Sequence, residues 1–467
     1  METKNIDRRE FLRRAGIASA VVGAAATLNS CAGGAGTDKV AEALTGEHVG
    51  TGEKEIGEMT YRTNPNTGDR VSLLGYGMMR LPQVQKGQER ADGNDLDQEQ
   101  INRLVDYALE HGVNYYDTSP AYCKGFSEEA TGTALARHPR NTYFIATKLS
   151  NFAPQQQTRE ESQKMFHNSL RYLKTDYIDY LLLHAIGGGG MDNFNRRYMD
   201  NGILDWLVEQ KKAGKIRNLG FSYHGDLVVF DEMMKWHDEG RYHWDFVQIQ
   251  MNYVDWNNEV IAHEYYELEK RNIPAVIMEP LLGGRLVKLP THVVNHLKAR
   301  RPSDSPASWA FRFLGTYPNV MCSLSGMTYM EHLQDNLRTH CPLEPLSEEE
   351  MTYLHETAKL IQKYPTVPCN DCKYCMPCPY GLDIPAILLH YNKMVNEGSV
   401  PKDQQDPQYQ EMRRKYLISY DRAVPAVRQA DRCVGCRVCV SHCPQRINIP
   451  QTLERIASSI EEMKRNV

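Results

Sequence analysis

Two cysteine runs, CNDCKYCMPCP from Cys369 and CVGCRVCVSHCP from Cys433, hold eight of the chain's twelve cysteines within 75 residues. Thiols this closely and regularly spaced are suited to metal. The second run has the CxxCxxCxxxCP spacing in which three thiolates hold one 4Fe-4S cubane and the fourth, just before a proline, reaches the neighbouring cluster. On that rule Cys369, Cys372, Cys375 and Cys443 hold one cluster, and Cys433, Cys436, Cys439 and Cys378 hold the other. The first run is one residue tighter, with two residues between Cys375 and Cys378. Two zinc sites or a set of disulfides are the alternatives that CxxC pairs admit. Both fit less well, because zinc knuckles use two pairs and disulfide frameworks rarely repeat such tight spacing.

A second constellation is dispersed along the chain: Asp117, Tyr122 just after it, Lys148 and His184. Together they make a proton-transfer set. A tyrosine has an ordinary pKa of about 10, so a neighbouring ammonium and imidazole are needed for it to exchange a proton near neutrality. Lys148 supplies the charge, Asp117 pairs with Lys148 and holds it, and His184 orients a substrate oxygen or relays the proton. Singly, each residue is as well explained by structure; four together are less so.

Something must bring those four residues to one place. From about Tyr61 to His340 short apolar runs alternate with amphipathic stretches of ten or more residues, as strands alternate with crossover helices. The strands are expected at Val71 to Tyr76, Asn114 to Thr118, Tyr143 to Lys148, Tyr177 to His184, Ile216 to Phe221, Phe246 to Met251, Ala275 to Glu279 and Val320 to Ser325. Eight strands over this length predict an α/β fold, a (β/α)8 TIM barrel; the cysteine runs beyond it are expected to lie in a small, mostly helical ferredoxin-like dicluster domain. One helix after Asp95 carries Ile101, Leu104, Val105, Ala108 and Leu109 as a single apolar stripe. Polar residues that end such strands point into the barrel's active site.

The N-terminus sets the compartment. Asp7-Arg8-Arg9-Glu10-Phe11-Leu12 precedes a small-residue apolar stretch from Ala15 to Leu28, and reads as a twin-arginine export signal. Fourteen residues at a rise of about 1.5 Å fall short of roughly 30 Å of hydrocarbon, so a permanent span is disfavoured. Leu28-Asn29-Ser30-Cys31 resembles a lipobox, which would anchor the product through Cys31; a plain cut nearby would leave it free. The expected organisation is a signal at 1–31, a Gly-, Ala-, Thr- and Glu-rich linker at 32–57, the barrel at 58–345 and the dicluster domain at 346–467. Export to the periplasm or cell envelope by the twin-arginine machinery agrees with the cysteine runs, since that route moves proteins already folded around their metal. The formal charge is −5 and hydrophobic residues make up 41%, so a sizeable core is available and nothing favours nucleic acid.

These segments together resemble the aldo/keto reductase family. GYGMMRLP at Gly75 is similar to its first strand, GVNYYDTSPAY at Gly112 to its Asp and Tyr segment, IATK at Ile145 to its Lys and DYLLLH at Asp179 to its His. The resemblance covers about 57 to 345 and implies a barrel that binds NAD(P)(H) without a separate nucleotide domain. It implies hydride transfer at a carbonyl or alcohol carbon with Tyr122 as general acid/base. It also puts Ser222 and Gln250 on the nicotinamide carboxamide, Met278 where many members stack a tyrosine on the ring, and Asp335 and Asn336 at the adenine. Tyr223 stands where the family usually has a carboxamide-binding asparagine. Gly326 and His332 stand where NADP-preferring members carry basic residues, so NADP is not favoured over NAD. The whole chain is most similar to the subgroup with a C-terminal ferredoxin-type dicluster domain.

Nicotinamide moves two electrons as hydride and a cluster moves one, so a tightly held, recycled nicotinamide or a flavin must mediate between them. The expectation is an exported carbonyl/alcohol oxidoreductase whose clusters exchange electrons with a membrane or envelope partner. The alternatives are a non-enzymatic electron relay or ligand-binding protein on a barrel platform, and an enzyme whose clusters are purely structural. Gly187 to Gly190 is either a mobile substrate loop or a connector. Cys123 reads as a pocket-wall residue, and Cys322 and Cys341 as core or surface thiols.

Overall fold

The computed structural model describes residues 55–225, 227–401 and 404–465. The expected export signal, the lipobox cysteine and most of the linker lie outside them. Ten strands are described: β1 (Tyr61–Thr63), β2 (Arg70–Ser72), β3 (Leu74–Gly77), β4 (Tyr115–Asp117), β5 (Phe144–Leu149), β6 (Ile178–Ile186), β7 (Ile216–Tyr223), β8 (Phe246–Gln250), β9 (Ala275–Met278) and β10 (Val320–Ser325). β3 to β10 close into one parallel eight-stranded barrel, with β10 hydrogen-bonded to β3. The (β/α)8 expectation is therefore met.

The first expected strand divides in two. Val71 belongs to β2, which pairs antiparallel with β1 as a separate hairpin, and the barrel strand begins only at Leu74. At the break, Leu73 N–H donates to Thr60 O and Ser72 Oγ donates to Leu74 O. The hairpin loop then plugs the N-terminal end of the barrel, where Asp69 accepts from Tyr180 Oη at 2.9 Å and pairs with Arg217 at 2.9 Å.

Around the barrel run α1 (Gln98–Glu110), α2 (Ser127–Leu135), α3 (Arg159–Tyr172), α4 (Ile203–Lys212), α5 (Leu227–Asp238), α6 (Glu259–Lys270), α7 (Thr291–Arg300), α8 (Pro306–Thr316) and α9 (Met330–His340). In α1 the expected stripe buries Ile101, Leu104, Val105 and Ala108, and Asp97 caps the first turn by accepting from Gln100 N–H. Inside the barrel Tyr115, Tyr180 and Phe246 meet edge to face at 5.0–5.1 Å, filling the lower layers with side chains. Polar groups are thereby confined to the plugged end and the opposite, C-terminal mouth.

α10 (Glu348–Gln362), assigned from sequence to the C-terminal domain, packs Leu354 and Ala358 into the barrel's outer core. Beyond it the cysteine segments are carried by α11 (Ile384–Asn396), α12 (Tyr409–Ala423) and α13 (Ile449–Arg465). Their core joins Leu382, Ile387, Tyr416, Tyr420, Ile456 and Ile460, with several cluster-run cysteines packed against it. Among the described residues no helix is long and apolar enough to cross a membrane.

Candidate active site

A cavity of about 590 Å³ opens at the C-terminal mouth of the barrel. Seven of the eight barrel strands contribute to it, through Gly77, Asp117, His184, Ser222, Gln248, Met278 and Ser325. Tyr122 reaches it from the loop after β4. Lys148 lies just behind the wall, 1% exposed, donating to Asp117 Oδ1 at 2.6 Å and to Thr118 O at 2.9 Å. Its ammonium sits 4.9 Å from the centroid of the Tyr122 ring. The Tyr122 ring in turn meets His184 edge to face at 5.9 Å. The fold thus brings all four residues of the dispersed constellation together.

Their electrostatics follow from burial. His184 Nδ1 faces the hydroxyls of Ser150 at 2.6 Å and Ser119 at 3.3 Å, which leaves Nε2 for the cavity. Burial, then the Lys148 and Arg197 cations, hold the imidazole well below its ordinary pKa, so it is neutral. Burial, reinforced by Tyr374, Asp117 and Glu279, holds the Tyr122 phenol well above its ordinary value. This is the reverse of the lowering expected of Lys148, because Asp117 already takes up that ammonium's charge. Tyr122 is a full phenol at neutral pH, a proton donor beside a neutral imidazole.

The expected nucleotide contacts divide. Ser222, Met278, Asp335 and Asn336 line the cavity, as do Gly326 and His332. Ser222 Oγ accepts from Ala185 N–H, leaving its own hydrogen to give, and Asn336 Nδ2 donates to Ser325 Oγ. Gln250 does not line the cavity; it donates to Asp255 and accepts from Gln445 of the C-terminal segment at 3.1 Å. Gln248, two residues earlier on the same face of β8, lines the cavity instead and donates to Asp117 at 3.3 Å. A hydroxyl donor on Ser222 and an amide on Gln248 fit a nicotinamide carboxamide. Tyr223 is buried against Phe230. Within the glycine run, Gly187 holds φ +98° and a Cβ on it would stand 2.6 Å from the Tyr223 ring.

The cavity's roof comes from the cysteine segments. Cys372, Tyr374 and Pro444 line it. Around them Asn370 Nδ2 donates to Glu279, Arg80 donates to Asn370 O, and Arg80 also faces Asp371 at 3.5 Å. Cys369, Cys372, Cys375 and Cys443 lie close enough to bear on one another's charge, and Cys439 bears the same relation to Cys433, Cys436 and Cys378. These are the two quartets of the cross-over rule. Burial pushes the Cys372 and Cys375 thiols up to about 12, so bound metal is what would keep them as thiolates. The donor set therefore fits 4Fe-4S clusters.

Gln248, Glu279 and Tyr374 were not anticipated in these places. Tyr374 could be read as notable only from its position between two ligands in CKYC; nothing local marks the other two.

A profile described as "Aldo/keto reductase family" matches residues 73–359, and one described as "4Fe-4S dicluster domain" matches residues 368–448. The chain is 27% identical over 357 residues to Protein tas of Escherichia coli, spanning 64% of this chain and 98% of that one. It is 26% identical over 288 residues to the oxidoreductase YqkF of Bacillus subtilis, spanning 55% of this chain and 87% of that one. Among solved structures, the aldo-keto reductase AKR11C1 from Bacillus halodurans in its holo form superposes with a TM-score of 0.51 at 23% identity, over 64% of this chain and 96% of that one. That superposition shows a shared fold.

Proposed function

The chain belongs to the aldo/keto reductase family, and from that premise we propose that it interconverts a small-molecule carbonyl and alcohol, with its two 4Fe-4S clusters exchanging the electrons with an outside partner. One observation carries this reading: Cys372 and Tyr374, from the first cysteine run, line the same cavity as Tyr122 and His184. A cluster-binding loop closes a reductase pocket.

Ser222, Gln248 and Met278 would hold the nicotinamide end of NAD(P)(H), and Asp335 and Asn336 its adenine end. Bound there, the nucleotide supplies or accepts hydride, while each cluster exchanges one electron; a flavin is the other mediator that the electron count admits. The chain's own part is proton handling and orientation. His184 Nε2 binds the substrate oxygen, neutral because burial keeps it so. Tyr122 gives its hydroxyl proton to the same oxygen in reduction and takes it back in oxidation. Lys148, anchored by Asp117, sets its ammonium 4.9 Å from the centre of the Tyr122 ring and helps hold the ring in place.

We further propose that the N-terminal Arg8-Arg9 signal exports the folded protein to the periplasm or cell envelope, with Cys31 as a lipid-anchor site. Soluble nucleotide is not expected there, so the nucleotide travels with the protein. Substituting Tyr122 by Phe is expected to lower kcat at least 1000-fold with iron content unchanged; unchanged turnover would refute the assignment. Substrate-dependent reduction of the clusters, followed by their visible absorbance, distinguishes electron exchange from purely structural clusters.

A further inference from the structure

Arg197 is 2% exposed, and no carboxylate among the described residues pairs with it. It sits on a π-helical turn, Asn195–Met199, in the connection that follows β6; such turns are rare and gather at functional sites. A guanidinium taken out of water must place its donors, and this one places them on the end of β6. Nη2 donates to His184 O at 2.6 Å and to Tyr198 Oη at 2.7 Å, Nη1 to Ala185 O at 3.2 Å and Nε to Asn151 Oδ1 at 3.2 Å.

The strand is irregular where the guanidinium grips it. Ala185 holds φ +49°, a left-handed conformation, and the register of β6 against β7 shifts between Leu183 and Ile186. A bulge re-aims the side chains it carries, and strained backbone persists only where its surroundings hold it. Two side chains of the site depend on this one. His184 belongs to the bulge, with its N–H donating to Tyr198 Oη at 3.1 Å. Ala185 N–H donates to Ser222 Oγ at 2.7 Å, which fixes the hydroxyl that lines the cavity.

Phe152 extends the hold to the imidazole itself. Its ring centre is 4.9 Å from the Arg197 guanidinium carbon and 4.9 Å from the His184 ring, so it touches both. The Ser119 and Ser150 hydroxyls, Lys148, His224 and the Tyr122 ring complete the surroundings of His184.

We propose that Arg197, together with Phe152, is a positioning residue for the reaction: the guanidinium holds the bulge at His184 and Ala185, and so aims the imidazole at the substrate oxygen and the Ser222 hydroxyl into the cavity. The proposal deepens the carbonyl/alcohol reading above and rests on it for what His184 meets. One guanidinium then stands behind both halves of the site, the proton-transfer set and the carboxamide contact.

The test is spectroscopic. Iron-loaded full chain carrying 15N-labelled histidine is followed by long-range 15N–1H NMR, with the His184 signals assigned by their loss in His184→Gln. The natural protein is expected to show one fixed tautomer, protonated at Nε2, with no titration between about pH 6 and 8. Arg197→Lys keeps the charge but puts its donors on a single nitrogen, which cannot span the same acceptors. It is expected to give a ring averaging between tautomers, and to lower kcat at least 10-fold with KM within about three-fold. Phe152→Leu changes a side chain that is 41% exposed, so folding is not at stake; it should shift the same signals, and it decides the matter where Arg197→Lys does not fold. A His184 spectrum unchanged in Arg197→Lys, or in Phe152→Leu where the first variant does not fold, overturns the proposal, as does a changed spectrum with kcat retained. Changed spectra in a protein that turns over no carbonyl would instead overturn the catalytic reading and leave the hold on His184 standing.

Discussion

The ion pair of Lys148 and Asp117 is enclosed from all sides, at 1% and 4% side-chain exposure, and its two members depend on each other. Burial raises the Asp117 carboxyl and lowers the Lys148 ammonium, and their contact at 2.6 Å, with smaller help from Gln248 and Glu128, offsets part of this. Lys148→Met should therefore leave an uncompensated carboxylate and cost about 3–5 kcal/mol, read as a lower urea midpoint. Adding Asp117→Asn to that variant should restore much of the stability and none of the turnover. The pair was legible in the sequence because strand alternation places each residue at the end of its strand. The hydroxyls of Ser119 and Ser150 behind His184 were not, since they meet only when two neighbouring loops fold over one another. Gln248 and Gln250 show the same limit: a period of two puts both on one face, and only the height of the barrel mouth decides which one reaches the cavity.

At the scale of elements, the barrel and the cysteine segments meet through backbone as much as through side chains. Gly283 holds φ +65°, and a Cβ on it would stand 2.2 Å from Asn370 O. Gly283→Ala should push the first cysteine loop away from the mouth, lowering iron retained after anaerobic dialysis while circular dichroism of the barrel stays unchanged. α10 ties the same region from the other side. Its capping box joins Ser347 and Glu350, and Arg301 binds both Glu350 oxygens, at 2.7 and 3.0 Å. That guanidinium holds the carboxyl down to about 2 from an ordinary 4.5. The stabilisation is thus full above about pH 4.5 and lost as pH falls toward 2. Glu350→Gln should cost about 2 kcal/mol at pH 7, and the difference from the natural protein should vanish near pH 2. The strand count was legible from apolar periodicity, whereas the break at Leu73 was not, because Val71 and Leu74 continue one apolar run across a turn fixed by Thr60.

Over the whole molecule, the described residues form one compact unit, and the roof of the active site is drawn from both cysteine runs. The spacing rule groups the cysteines as they lie near one another in the fold; that residues of both runs sit at the barrel mouth depends on contacts such as Gln445 with Gln250, which no local pattern announces. If the export reading holds, replacing Arg8 and Arg9 by lysine should trap the iron-loaded protein in the cytoplasmic fraction with its turnover intact, measured by fractionation. The same roof has a consequence in time. Cys443 lies 118 residues after Ser325, the last residue of the barrel, so on a ribosome it emerges on the order of ten seconds after the barrel can close. During that interval the mouth lacks the part of its lining that the second run supplies, Pro444. A molecule that enters the barrel then would meet a wider mouth than one that enters later.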